Sequence, residues 1–194
     1  VGSEEERVPD MRGFIEELHR DTIYAIARIS VFQDPYLASA RSDLAVKTKE
    51  GALWKDKKGI SWVDPASREV WDYIIQIARA SEAAGFDELN FDYVRFPSDG
   101  NMSNIAFPKW DGTTPRSDVL KEFFAYLDTE LSSVPVPISL DLFGMTMTNT
   151  DDLNIGQVLE KAAPYADFIA PMVYPSHYPN GWNNLSNPAA NPYE

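Results

Sequence analysis

The stretch "NFDYVRFPSDG", residues 90–100, decides how the chain is read. It follows "WDYIIQIARASEAAGFDEL" (71–89) with no proline and a single glycine, Gly85, between a helical pattern and an extended one. A short apolar strand therefore carries Asp92 and then releases Arg95 into a Pro-Ser-Asp-Gly turn. A strand that reads as buried and ends on charge needs a reason for it, because burying a charge is costly unless it is paired or used.

Working outward, Asp64-Pro65 has the form of a helix N-cap and first helical residue, and Gly85 that of the stop. Between them Val70, Trp71, Ile74, Ile75 and Ala78 make the buried stripe. Three further strand-like runs stand out: "TIYAIARISVF" (22–32), "VPISLDLFG" (136–144) and "DFIAPMVYP" (167–175), beside "FDELNFDYV" (86–94) itself. An amphipathic helix from Pro9 to Arg20, with Phe14, Ile15 and Leu18 on one face, precedes the first. Thr114-Pro115 opens another, with Val119, Leu120, Phe123, Phe124 and Leu127 inward. A shorter helix with Ile155, Val158, Leu159 and Ala162 follows Asn154.

Strand alternating with helix means βαβ units and a parallel sheet. A doubly wound sheet and a (β/α)8 barrel both satisfy that pattern. Parity favours the barrel. Ile138, Leu140 and Leu142 alternate with Ser139 and Asp141; Leu89 and Phe91 alternate with Asn90 and Asp92. The apolar set faces the helices, so Asn90, Asp92, Asp141 and Arg28 gather around a common axis, and a barrel keeps its chemistry at the C-terminal mouth of that axis. No Gly-rich phosphate turn follows any strand, which weakens a Rossmann reading. Four units are half of eight, and roughly 200 residues is the floor for a whole barrel. The expected fold is thus α/β, a TIM-barrel type present as a partial barrel over 1–194, with flanking strands missing at both ends or supplied by a partner chain.

The chain has 194 residues, 44% of them hydrophobic and 12% aromatic, enough for one domain with a core. The balance of 17 basic against 30 acidic residues, net −13, argues against binding a nucleic-acid backbone. No run of about 18 apolar residues suits a membrane span, and the polar opening "VGSEEERVPD" does not read as a signal peptide. Zero cysteines exclude disulfides, thiolate metal sites and a Cys nucleophile. With two histidines, His19 and His177, a multi-His zinc site is disfavoured, and no cofactor is expected. This composition fits an exported bacterial protein and a cytosolic one equally.

"IARISVFQDP", "WVDPASREVWDYIIQIARASEAAGFDELNFDYVRFPSDG", "SLDLFG", "IGQVLEKAAPYADFIAPMVYPSHY" and "NPAANPYE" resemble, in that order, a bacterial family of glycoside hydrolase-like domains, alpha-amylase-like TIM barrels long of unknown function. The resemblance runs over most of the chain, and "FDYVRFPS" with "PMVYPSHY" is its most specific part. It implies a barrel fold and a carbohydrate substrate. In the wider amylase-like superfamily the aspartate ending the fourth strand is the nucleophile, a role the resemblance gives to Asp92. The acid there is a glutamate ending the fifth strand; the matching position here is Asp141, one methylene shorter.

Glycoside hydrolysis needs two carboxyl groups, one protonated and one ionised, and Asp92 with Asp141 are the candidates. Each has a plainer reading as a turn cap or the partner of a basic neighbour. Arg95 either holds Asp92 ionised or bridges its loop. Arg28, at polar parity, can reach Asp92, Glu88 or Asp34 as a scaffold residue or a sugar ligand. Tyr174 and His177 fall at the mouth, where an imidazole can bond a sugar hydroxyl. Trp62, Trp110 and Trp182 fall in loops, as stacking platforms or as seals. "TNTDDLN" (148–154) is rich in oxygen ligands but lacks EF-hand spacing, so a helix N-cap is the simpler reading. The rival function is a non-catalytic carbohydrate-binding or cell-envelope module on the same barrel. A metal-dependent lyase or aldolase suffers from too few histidines and no strand-end lysine.

Overall fold

The computed structural model describes residues 8–193. Four parallel strands lie side by side in chain order: β1 (Ile26–Ser30), β2 (Glu88–Asp92), β3 (Ile138–Phe143) and β4 (Phe168–Met172). Helices α1 (Met11–Arg20), α2 (Pro35–Ala40), α3 (Arg68–Ala84), α4 (Arg116–Leu131) and α5 (Leu159–Ala162) surround them. Strict chain order is that of consecutive barrel units; a doubly wound sheet reverses its order at a switch point.

The alternation in each strand sets the layers. Ala27, Ile29, Leu89, Phe91, Ile138, Leu140 and Leu142 are buried with the α3 stripe Val70, Trp71, Ile74, Ile75 and Ala78 and the α4 row Val119, Leu120, Phe123, Phe124 and Leu127. Each large side chain so buried contributes about 1.5–3 kcal/mol. The opposite parity faces the inner side, and that side is open. Ile26 is 49% exposed and Phe168 54%, and the outer edges of β1 and β4 pair with no strand among the described residues.

Helix boundaries differ from the sequence expectation where a capping residue is used elsewhere. Helix α3 begins at Arg68 with Ser67 at its N-cap, not at Pro65. Asp64 is buried and accepts the backbone N–H of Ala66, Lys109 and Trp110, so its carboxylate ties two loops together instead of capping the helix. Gly85 does stop the helix, at φ 104°. Helix α1 starts one turn-residue late, with Asp10 capping it; Ile15 is buried, but Phe14 is 44% exposed, off the face assigned to it. The helix expected after Asn154 forms only at Leu159–Ala162. Ahead of it, Asp151 and Asp152 accept the N–H groups of Leu153 and Asn154 two residues on, which turns the chain rather than capping a helix. The short helix α2 went unread; Asp34 caps it by accepting from Tyr36 and Leu37 N–H.

Two features hold the loops at the C-terminal ends of the strands. A Cβ on Gly144 would stand 2.6 Å from the Met172 carbonyl oxygen, so only glycine lets the loop after β3 pass against β4. Gln157, fully buried, accepts Phe143 N–H and donates to the Val94 carbonyl, stitching the loop after β3 to the loop after β2.

Candidate active site

The inner-face polar residues converge at the C-terminal end of the sheet. Asp92 and Asp141 each stand one position past Phe91 and Leu140, the last residues that β2 and β3 pair with each other. Arg28, from β1, bonds Asp92 Oδ2 through Nη2, and its Nε lies 3.9 Å from Asp141 Oδ2. One guanidinium therefore touches both carboxylates. The charge at the end of the buried strand is balanced across the sheet, by Arg28, and not by Arg95 three residues along.

Beyond Asp92 the chain makes an unusual turn. Tyr93 has φ 54°, a left-handed conformation that costs a bulky residue about 1–3 kcal/mol. Its N–H donates to Asp92 Oδ1 at 2.6 Å. Asp92 is thus held by a cation on one oxygen and a backbone donor on the other. Asp141 is held differently. Its Oδ1 accepts from Asn90 Nδ2 at 2.9 Å; Asn90 Nδ2 also donates to Ser139 Oγ at 3.0 Å, and Ser139 Oγ donates to Glu88 at 2.5 Å. Tyr24 closes the chain by donating to the other Glu88 oxygen at 3.1 Å. Every link comes from the inner parity of β2 and β3 or from the residues just before β1.

The carboxylates open into a cleft of about 500 Å³. Tyr174 and His177 line it, as their position after β4 implied; the His177 ring stacks on Phe143 with centroids 5.8 Å apart and meets Tyr174 edge-on at 5.0 Å. Arg95 lines it too, with Nη1 donating to the Phe96 carbonyl and Ser98 Oγ and the guanidinium 4.9 Å from the Trp62 ring. None of the three tryptophans lines this cleft. Trp62 is 1% exposed, and its Nε1 donates to Asp56. Trp110 packs edge-on against Phe96 and Phe107, with its Nε1 donating to the Thr114 carbonyl, away from the cleft. Trp182 lies against Tyr178, also outside it. Trp62 and Trp110 seal loops, because an indole with its N–H satisfied inside gives more burial there than on the surface. Among the described residues no group of three His, Asp or Glu is placed to hold a metal ion.

Sequence reading missed four residues at this site. Asn90 was placed on the inner face but given no role, and nothing short of the strand register brings it to Asp141. Tyr93 and Gln157 carry no motif. Lys58 lines the cleft from the turn Asp56-Lys57-Lys58-Gly59, where Asp56 accepts the N–H of Lys58 and Ile60. An Asp-x-x-Gly turn was legible there, but not its position over the carboxylates.

The two acids differ in surroundings. Burial raises the Asp141 pKa, and the negative charge of Asp92 raises it further, against the Asn90 hydrogen bond and the Arg28 charge, which lower it. Asp141 is nonetheless the more solvated of the two acids: its side chain is 16% exposed and that of Asp92 4%. The more buried carboxylate is the one given a cation and a backbone donor; the less buried one has a weaker counter-charge. Removing the Asn90 donor, as in Asn90→Leu, is expected to move the pH at which Asp141 loses its proton upward, because that bond favours the ionised form. A pH titration of Asp141 by carbon-detected NMR measures this; an unmoved or lowered midpoint would contradict the arrangement.

Over residues 1–194 the sequence matches the family described as "Putative glycosyl hydrolase domain". The chain belongs to that family. Among curated proteins none matches this glycosyl hydrolase domain in sequence. Among solved structures it is similar to a hypothetical protein from Ruminiclostridium thermocellum, with 30% identity, 71% of this chain and 75% of that one covered, and a TM-score of 0.59. It is also similar to an alpha-galactosidase from Thermus thermophilus in complex with stachyose, at 17% identity, 85% and 32% coverage and TM-score 0.55. A third is Ega3 from Aspergillus fumigatus in complex with galactosamine, at 14% identity, 88% and 62% coverage and TM-score 0.54. The last two likenesses show the fold alone, of the TIM-barrel type. The domain spans about three quarters of the first chain and a third of the second.

Proposed function

We propose that this domain carries the catalytic centre of a retaining glycoside hydrolase, with Asp92 as nucleophile and Asp141 as acid and then base. The observation that carries the reading is the unequal treatment of two adjacent carboxylates. Asp92 accepts a guanidinium and a backbone N–H, the setting of an ionised nucleophile. Asp141 has its pKa raised by burial and by its neighbour's charge, the setting of a group that keeps its proton long enough to give it away. Tyr174 and His177 bound the sugar at the mouth, and Arg28 orders both acids rather than the substrate. Attack by Asp92 on the anomeric carbon breaks the bond to the glycosidic oxygen, which takes the Asp141 proton; water then attacks the ester as Asp141 recovers a proton. Retention follows the resemblance to amylase-like enzymes, and one guanidinium reaching both carboxylates accords with a short separation. The test is release of reducing ends by the full-length protein across a panel of bacterial surface polysaccharides, with the product anomer read by proton NMR. Saturable binding with no bond cleavage would favour the non-catalytic module instead.

We propose further that additional strands, from the same polypeptide or a partner, cover the open inner face. Exposed Ile26 and Phe168 on that face and two unpaired strand edges support this. The 194-residue chain alone is expected to bind a hydrophobic dye and self-associate. A monodisperse monomer with no dye binding would contradict it.

A further inference from the structure

We infer that the cleft takes a glycan bearing a carboxylate, a uronic acid or similar acidic sugar, gripped by Arg95 and Lys58; this rests on the reading of the cleft as a sugar site. The observation behind it is an open guanidinium fork. Arg95 uses Nη1 for both its hydrogen bonds, to the Phe96 carbonyl at 3.1 Å and to Ser98 Oγ at 3.0 Å. Its Nε and Nη2, the edge that binds a carboxylate side-on through two parallel hydrogen bonds, have no hydrogen-bond partner among the described residues. That edge is not sealed in the interior either, because the one buried side-chain atom without a partner among the described residues is Ser67 Oγ. Arg95 lines the cleft that Asp92 and Asp141 share.

Lys58 stands on the same wall. Asp56 joins the two: it accepts Lys58 N–H, and it accepts Trp62 Nε1, whose ring lies under the Arg95 guanidinium. Neither cation forms an ion pair among the described residues. Asp99, also in the cleft, acts on Arg95 by its charge but stands beyond ion-pair distance. Burial pulls the Arg95 pKa below its ordinary value, and nearby carboxylates counter this; a substrate carboxylate would restore a full counter-charge. Trp62 and Tyr93 hold the guanidinium plane from beneath at 4.9 and 5.7 Å, so the fork is rigid before a ligand arrives.

The test uses the full-length protein carrying Asp92→Asn, so that binding is read without turnover. Affinity electrophoresis compares uronic-acid polysaccharides with their carboxyl-reduced, neutral counterparts, and with neutral glycans sulfated to the same charge density. Retention of at least one carboxylate glycan about tenfold tighter than its reduced partner is expected, with sulfated chains intermediate because a sulfate does not match the planar fork as well. Lys58→Gln, an exposed substitution with no packing role, should reduce the preference several-fold, and Arg95→Lys should remove most of it while keeping the charge. Equal retention of both members of every pair, retention of neither, or a preference unmoved by both substitutions would overturn the inference. Sulfated chains held tighter than carboxylated ones would overturn the carboxylate assignment. A wild-type protein that binds acidic glycans with this preference and cleaves none of them would sink the catalytic reading and leave this one standing.

Discussion

Asp92→Asn in the full-length enzyme is expected to lower kcat by at least about 10⁴-fold on every substrate, whatever its leaving group. The amide cannot form a glycosyl ester, and Asp141, the neighbouring carboxylate, is turned toward Asn90 and Arg28. The loss should be chemical and not a loss of fold. Asparagine keeps the oxygen that accepts Tyr93 N–H, and Arg28, with its side chain 61% exposed, can turn to water. An exposed partner of that kind leaves a stability change of about 1 kcal/mol or less from the pair itself. Thermal unfolding of the variant beside its kcat separates the two effects. A variant that unfolds at the wild-type temperature and still turns over at a few per cent of the wild-type rate would place the nucleophile elsewhere.

Asp141→Asn is expected to divide substrates by their leaving groups. Where the departing oxygen needs a proton, kcat should fall by about 10²–10⁴-fold, the usual worth of a general acid. Where the leaving group is a fluoride or dinitrophenolate, the first step needs no acid and should keep nearly its wild-type rate. The second step then limits, because the base that activates water is gone, and azide should restore turnover by attacking the ester without deprotonation. The pH profile should change with it. In the wild type, activity should fall as pH rises through the raised pKa of Asp141, since the acid form is lost there; in the variant that basic limb should vanish. Stability moves in the matching sense. A carboxyl whose folded pKa lies above its unfolded value favours the folded state most at low pH and loses that contribution as pH rises through the folded pKa. The variant should therefore lose less stability than the wild type between acid and neutral pH.

Much of this site was legible because parity in a strand is a strict rule. Leu89 and Phe91 against Asn90 and Asp92, and Leu140 and Leu142 against Ser139 and Asp141, assign a face to every side chain once the strands are found, and the structure puts all of them there. Arg28 followed from the same rule. What parity does not give is which inner residues meet across strands. The Asn90–Asp141 bond depends on a register that no local pattern encodes, since β2 and β3 are 45 residues apart and joined by a helix. Loops were read worst. Trp62 and Trp110 fit a stacking platform and a loop seal equally from their loop positions, and only the fold shows that both N–H groups find interior acceptors. Asp64 looked like a helix cap because Pro65 follows it, and its actual partners, Lys109 and Trp110, lie far along the chain. A capping motif reports only local competition for backbone donors; it cannot see a distant loop that offers better ones.

The most direct test of the central claim is to catch the covalent intermediate. Full-length Asp141→Asn, mixed with a substrate carrying an activated leaving group and quenched in acid within seconds, is digested and its peptides weighed. One peptide heavier by a single glycosyl unit is expected, with fragmentation placing the sugar on Asp92. An adduct on any other residue, or cleavage without an adduct and with inverted anomeric configuration in the product, would contradict it.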